Sequence, residues 1–178
     1  MASSRVEGLD PELAEAMMQR LEELLSAAAV DELTGVLRRG AGRTALEREV
    51  RRASRQEDRR LVLAFLDVQH LKEVNDRRGH GAGDDVLIQI ASTLKGRLRA
   101  HDLIIRWGGD EFVCVLSQAG RDQVAAVMTT LEREVRSRTG CGLHIGLAEM
   151  APGEAAQDLL ARADADLYSR RRGSGRES

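Results

Sequence analysis

The chain has 178 residues, 42% hydrophobic and 31% charged, which fits one globular domain with a real core and a short extension. A net charge of −2 supplies no global basic field for nucleic acid, and aromatics at 2% leave no stacking platform for single strands. No segment has the length and apolarity of a membrane span or of a signal peptide, so no membrane partner is expected and the expected compartment is the cytoplasm.

In chain order, residues 1–10 read as a loose tail. Pro11–Val30 has a helical pattern, with Met17, Leu21, Leu24 and Ala28 at four-three-four spacing and Pro11 in the first turn. That narrow stripe suits packing on its own domain or on a partner helix in a short coiled coil. Asp31-Glu32-Leu33-Thr34-Gly35 interrupts the helix, and a second one is expected over Ala41–Arg55. Arg59–Val68 carries the continuous apolar run Leu61–Leu66, the pattern of a central strand covered on both faces. Helical periodicity returns over Asp84–Arg97. Leu103–Ile105 and Phe112–Leu116 then flank Gly108-Gly109 as a hairpin, because glycine enters positive φ without steric cost. A helix over Arg121–Arg136, a strand over Leu143–Ala148 and a terminal helix over Ala155–Arg171 complete the pattern, and a basic, flexible end follows. Strands alternating with helices, plus one hairpin, predict an α/β fold with a central mixed sheet surrounded by helices. Cys114, inside an apolar strand, is expected to be a buried thiol rather than half of a disulfide.

The chemistry concentrates at the ends of these elements. Asp110 and Glu111 put two carboxylates beside bare backbone at the mouth of the hairpin, which suits either a solvated acidic turn or a divalent cation carrying a phosphate. Asp67 closes the buried strand, and ligand sites in α/β sheets favour such strand ends. If the two strands are neighbours, three carboxylates and a backbone carbonyl form an oxygen-rich site of the kind Mg²⁺ takes. Beyond Asp67 lie Lys72, Asn75, Asp76, Gly79, His80, Gly83 and Asp84.

Four separated segments together resemble one family. Asp31-Glu32-Leu33-Thr34-Gly35, the stretch from Asp67-Val68 through Lys72, Asn75-Asp76 and Gly79-His80 to Gly83-Asp84, Gly108-Gly109-Asp110-Glu111-Phe112, and Ala163-Asp164-Ala165-Asp166-Leu167-Tyr168 are similar to the GGDEF diguanylate cyclases, in order and near spacing. The resemblance implies a fold like the palm of nucleotidyl cyclases and polymerases. It also implies a reaction in which two GTP condense to cyclic di-GMP with release of pyrophosphate. Asp67, Asp110 and Glu111 are then the catalytic residues. The metal, Mg²⁺ or Mn²⁺, is held by Asp67, the Val68 carbonyl, Asp110 and Glu111, with Glu111 either completing that site or helping to deprotonate the attacking hydroxyl. Gly108 and Gly109 admit the nucleotide, Lys72 and Arg171 meet its phosphates, and Asn75 and Asp84 hold the guanine. Guanine presents adjacent N1–H and N2–H donors, which a carboxylate accepts; adenine would leave that carboxylate unpaired. Arg99 and Asp102 match the family's product-inhibition pair.

Three departures stand out. Gln69-His70-Leu71 replaces the usual Asp-aromatic-Phe, with His70 read as a polar lining residue. Arg170-Arg171 replaces an Ala-Lys pair, and the Gly-Arg-Asn that follows it is only echoed in Gly173-Ser174-Gly175-Arg176. His80 is read as a brace of the loop between Gly79 and Gly83. The expected organisation is a tail and helical stalk over residues 1–30, a cyclase domain over 31–172 and a flexible tail over 173–178. One domain carries one GTP, so a homodimer is expected, with regulation by dimerisation, product feedback, a partner or a larger parent chain. The competing reading is a catalytically silent domain that binds GTP or cyclic di-GMP and signals through a partner.

Overall fold

The computed structural model describes residues 29–55 and 60–174, together with Glu15 and Met17. The Pro11–Val30 helix therefore falls almost wholly outside the described residues, as does the end of the basic tail. At the near end of that segment, Val30 makes an isolated antiparallel bridge to Leu37.

The elements run β1 (Leu37–Arg38), α1 (Arg39–Ser54), β2 (Leu61–Val68), α2 (Leu71–Arg78), α3 (His80–Arg97), β3 (Leu103–Arg106), β4 (Glu111–Ser117), α4 (Arg121–Thr139), β5 (Leu143–Glu149) and α5 (Ala156–Ser174). The strands form one mixed sheet in the order β1-β3-β4-β2-β5. Only the β1–β3 pair is parallel; the other neighbours are antiparallel.

All eight residues of β2 are buried, as its unbroken apolar run predicts for a strand covered on both faces. Successive side chains leave opposite faces of a strand, so β2 feeds two cores. Val62, Ala64, Leu66 and Val68 pack under α2, α3 and α4 with Leu87, Ile90 and Met128. Leu61, Leu63 and Phe65 pack on the other face under α1 and α5 with Leu46, Leu159 and Leu167. Cys114 is a buried free thiol in the first of these cores.

Gly146 is what lets α5 lie close on that second face. A Cβ there would meet the Ala163 carbonyl and the Leu167 backbone, and helix backbone has no room to retreat.

The structure differs from the sequence reading at three places. Residues Leu71–Arg78 form a helix of their own, α2, which was not anticipated because its exposed, charged sequence carries almost no apolar stripe. Helix α3 starts at His80, four residues before Asp84, so no loop lies between Gly79 and Gly83 and His80 braces none; it opens the helix and is exposed. The chain break between α2 and α3 is made by Gly79 at φ 83°, a conformation that glycine reaches freely. Finally, neither Gly108 nor Gly109 has positive φ, so the Trp107–Asp110 turn does not use the freedom for which those glycines were expected. A Cβ at Gly108 would instead run into the Glu111 carboxylate, and Gly108 is there to make room for it.

Candidate active site

The antiparallel register lines up three titratable side chains in a row at one end of the sheet. Asp67 on β2 stands directly opposite Glu111 on β4 and opposite His144 on β5. All three are in phase with the residues that face α1 and α5, so they leave the sheet on one side. The Asp110 carbonyl accepts the Val68 amide at 3.0 Å, which ties the hairpin turn to the end of β2. Trp107 and Gly108 both donate backbone N–H groups to the Glu111 carbonyl, at 2.8 and 3.3 Å, closing the turn.

Charge at this row is crowded. Asp67 is 4% exposed, and burial pushes its carboxyl up to about 6, with Asp110 and Glu111 adding to the rise and Arg171 opposing it. Burial also raises Glu111, reinforced by Asp110 and Asp164 and opposed by Arg39 and Arg171. Arg171 reaches back from α5 to place Nη2 3.1 Å from Asp67 Oδ2. That guanidinium is Asp67's counter-ion. Arg39 lies 4.9 Å over the Trp107 ring, held at the base of the turn by a cation–π contact.

Among the described residues, no three His, Cys, Asp or Glu side chains converge as a ready-made metal cage. Asp67 is turned onto Arg171, and Asp110 is exposed in the turn. The donor chemistry nevertheless fits a hard divalent cation. The available ligands are carboxylate and carbonyl oxygens, and Asp67 and Glu111, raised first by burial and then by the acids around them, would be eased by a cation.

Asn75 and Asp84 stand on the two helices of the α2–α3 contact. The Asn75 side chain sits against Gly83, where a Cβ would collide with its carboxamide, and Asp84 is the next residue along α3. Asn75 Oδ1 is buried and without a hydrogen-bond partner. Asp84 and Lys72 are exposed, on α3 and α2.

Arg99 and Asp102 come together apart from this row, in the turn before β3. Asp102 already has work there: its side chain, 3% exposed, accepts the Arg99 amide at 2.9 Å and the Ser117 amide at 3.3 Å. Arg99 is exposed, and both line a cleft of about 250 Å³ between α3 and α4.

His70 departs from its expected place. It takes a left-handed conformation (φ 61°) ahead of α2, is exposed, and bonds Glu73 at 2.7 Å rather than lining the site. His144 and Arg39 are the residues that sequence reasoning missed. A lone histidine in the apolar run of β5 was the available signal for the first. Burial, then the charges of Arg171, His70 and Arg136, holds His144 below the ordinary histidine range.

The family model for "Diguanylate cyclase, GGDEF domain" matches residues 28–177. The diguanylate cyclase DgcP of Pseudomonas aeruginosa is 37% identical over 179 aligned positions, covering 92% of this chain and 25% of DgcP. The bifunctional diguanylate cyclase/cyclic di-GMP phosphodiesterase MucR of the same species is 32% identical, covering 93% of this chain and 25% of MucR. The chain thus spans about a quarter of the length of these relatives. Among solved structures, the GGDEF domain of DgcB from Caulobacter crescentus in complex with c-di-GMP superposes with a TM-score of 0.78 at 31% identity, covering 82% of this chain and 91% of that one. The diguanylate cyclase SiaD from Pseudomonas aeruginosa, in complex with its activator SiaC, gives 0.77 at 34% identity, covering 91% of this chain and 65% of SiaD. Among the described residues, no helix is long and apolar enough to cross a membrane.

Proposed function

Because this chain belongs to the GGDEF diguanylate cyclase family, we propose that it condenses two GTP into cyclic di-GMP and two pyrophosphate, working as a homodimer. The observation that carries this reading is the row of Glu111, Asp67 and His144 across three paired strands, with Asp110 in the adjoining turn and Arg171 above it.

Asp67, the Val68 carbonyl, Asp110 and Glu111 would hold Mg²⁺ or Mn²⁺. When bound, the ion supplies neutralisation of charge on the attacking and leaving oxygens of phosphoryl transfer. The protein's own groups orient and select. Gly108 keeps the turn open, so that Glu111 sits against bare backbone at the nucleotide's entrance. Glu111, raised by its surroundings, is suited to accept a proton from the 3′-hydroxyl. Lys72 and Arg171 meet the β- and γ-phosphates, Arg171 with the planar fork suited to phosphate oxygens. In doing so Arg171 leaves Asp67, so its present ion pair is the resting partner of a carboxylate that charged substrate frees. Asn75 and Asp84 accept and donate along the guanine edge, and the unpaired Asn75 Oδ1 is an acceptor ready for such a donor. One domain presents one nucleotide, and ring closure needs a second domain facing it. Arg99 binds the product in the α3–α4 cleft and gives feedback.

Incubating the protein with GTP and Mg²⁺ and identifying the product tests the proposal. Formation of cyclic di-GMP that rises faster than linearly with protein concentration is expected. Binding of GTP or cyclic di-GMP with no product at high protein concentration would leave the competing reading, a nucleotide-binding signalling module.

A further inference from the structure

We infer that His144 is a positioning residue for Asp67, held by Gln69 in the tautomer that carries its proton on Nδ1 and presents it to the Asp67 carboxylate. The inference rests on the reading of Asp67 as a metal-holding carboxylate and goes beyond it, since His144 touches neither nucleotide nor metal in that reading.

A chain of contacts runs from Arg136 through Gln69 to His144 at the end of β2. Arg136 Nη2 donates to Gln69 Oε1 at 3.4 Å. Arginine has no acceptor, so the amide oxygen of Gln69 must face Arg136 and its NH₂ group must face the other way. That NH₂ nitrogen lies 2.6 Å from His144 Nε2. An amide nitrogen only donates, so Nε2 must be the unprotonated, accepting nitrogen of the ring. The proton of the neutral ring is then on Nδ1. Two backbone features keep this geometry. The Gln69 amide donates to the Gly142 carbonyl at 2.9 Å, and a Cβ at Gly142 would strike both Gln69 Oε1 and Arg136 Nη2.

His144 Nδ1 is buried with no hydrogen-bond partner, which calls for an acceptor close by. Asp67 Oδ2 is 4.0 Å away on the neighbouring strand, in direct register. The same oxygen faces Arg171 at 3.1 Å. Once Arg171 turns to phosphate, the Nδ1–H of His144 remains as the donor that fixes the rotation of the carboxylate. Donors behind a ligating carboxylate orient it, and their loss typically costs 10–100-fold in metal affinity or activity.

The test has a spectroscopic arm and a binding arm. Long-range ¹H–¹⁵N correlation spectra of the ¹⁵N-labelled, metal-free protein, with the His144 signals identified by their loss in His144→Leu, should show the proton on Nδ1. A proton on Nε2 overturns the inference. Gln69→Glu puts an accepting carboxylate against Nε2 and should place a proton there, in the other tautomer or in the imidazolium; an Nε2 that stays unprotonated in that variant also overturns it. Titration with Mn²⁺ alone, followed by electron paramagnetic resonance, should show about 10–100-fold weaker binding for His144→Leu. His144→Asn keeps a donor and should bind within a few fold of wild type. Unchanged affinity in His144→Leu, or equal losses in the Leu and Asn variants, overturns the positioning role. Undiminished Mn²⁺ binding by Asp67→Ala would remove the reading of Asp67 itself, which keeps the two failures distinct.

Discussion

Arg106 ties Asp31 to the Trp107–Asp110 turn. Its Nη1 is 3.0 Å from Asp31 Oδ1, and its Nη2 donates to the Gly109 carbonyl at 3.1 Å. Asp31 Oδ1 also takes the Thr34 amide at 2.9 Å and the Thr34 hydroxyl at 2.6 Å. Residues 31–34, where the chain enters the domain, are thereby fastened to Gly109, beside Asp110.

Replacing Arg106 by Met should cost stability and activity together. Burial tends to raise the Asp31 carboxyl, but the Thr34 hydrogen bonds and Arg106 outweigh it and hold the group below its ordinary 3.8. A depressed carboxyl stabilises the fold above its unfolded pKa, and this is lost as pH falls through the lower, folded value. Thermal melts should therefore show Arg106→Met destabilised by about 1–2 kcal/mol at pH 7, with the gap narrowing in strong acid to what the Gly109 hydrogen bond contributes. A constant difference at every pH would show that Asp31 is not the partner that matters.

Asp67 has the opposite sign. Folded, it holds its proton up to about 6 against an ordinary 3.8, so the folded state binds more protons and ionisation costs stability as pH rises through that window. Asp67→Asn does not titrate. In metal-free buffer it should match wild type near pH 3 and exceed it above pH 6 by on the order of 2 kcal/mol, while losing all turnover. Calorimetric melts across pH 3–8 check the trend; a variant less stable than wild type at pH 8 contradicts it.

Gly83→Ala should change the sign of its effect with its neighbour. In wild type the new methyl collides with Asn75, displacing the carboxamide proposed to read guanine, so the KM for GTP should rise about tenfold with little change in kcat, and stability should fall. In an Asn75→Ala background the collision is gone, and glycine-to-alanine in a helix interior should stabilise by roughly 0.5–1 kcal/mol. Loss of stability in both backgrounds would mean the slot is not set by Asn75.

Arg99→Ala should weaken cyclic di-GMP binding at least tenfold in isothermal calorimetry and relieve product inhibition without a change in melting temperature, because Arg99 is exposed. Asp102→Ala is expected to behave differently. Its buried carboxylate caps the Arg99 and Ser117 amides, and removing it should cost about 1–3 kcal/mol. Equal product affinity in wild type and Arg99→Ala would remove the feedback role.

Asp110→Ala should abolish turnover and keep the fold, since the turn is held by the Asp110 carbonyl rather than by its exposed side chain. Near-wild-type circular dichroism and melting with no cyclic di-GMP formed is the expected pair of results. Collapse of the fold would mark the residue as structural.

Much of this fold can be read in single segments because its information is local. The apolar run of β2 announced a strand with both faces buried, and the three-four spacing of Val86, Leu87, Ile90 and Leu94 announced α3. Helix α2 escaped because it buries only Leu71, so periodicity had nothing to register. His70 was misplaced because its left-handed backbone turns the side chain outward to Glu73, a property of φ that composition does not express.

The sequence by itself determined which side chains are available: Asp67 at the end of a buried strand, Asp110 and Glu111 after two glycines, and an Asn and an Asp spaced around Gly83. Tertiary structure decided which of them touch. Strand register, set by pairing between segments some 40 to 80 residues apart, aligned Glu111, Asp67 and His144 in one row. The return of α5 over Gly146 brought Arg171 onto Asp67. Gly108 changed meaning in the process. Its lack of a side chain serves the packing of Glu111, not the conformation of the turn, and only a folded neighbour reveals that difference.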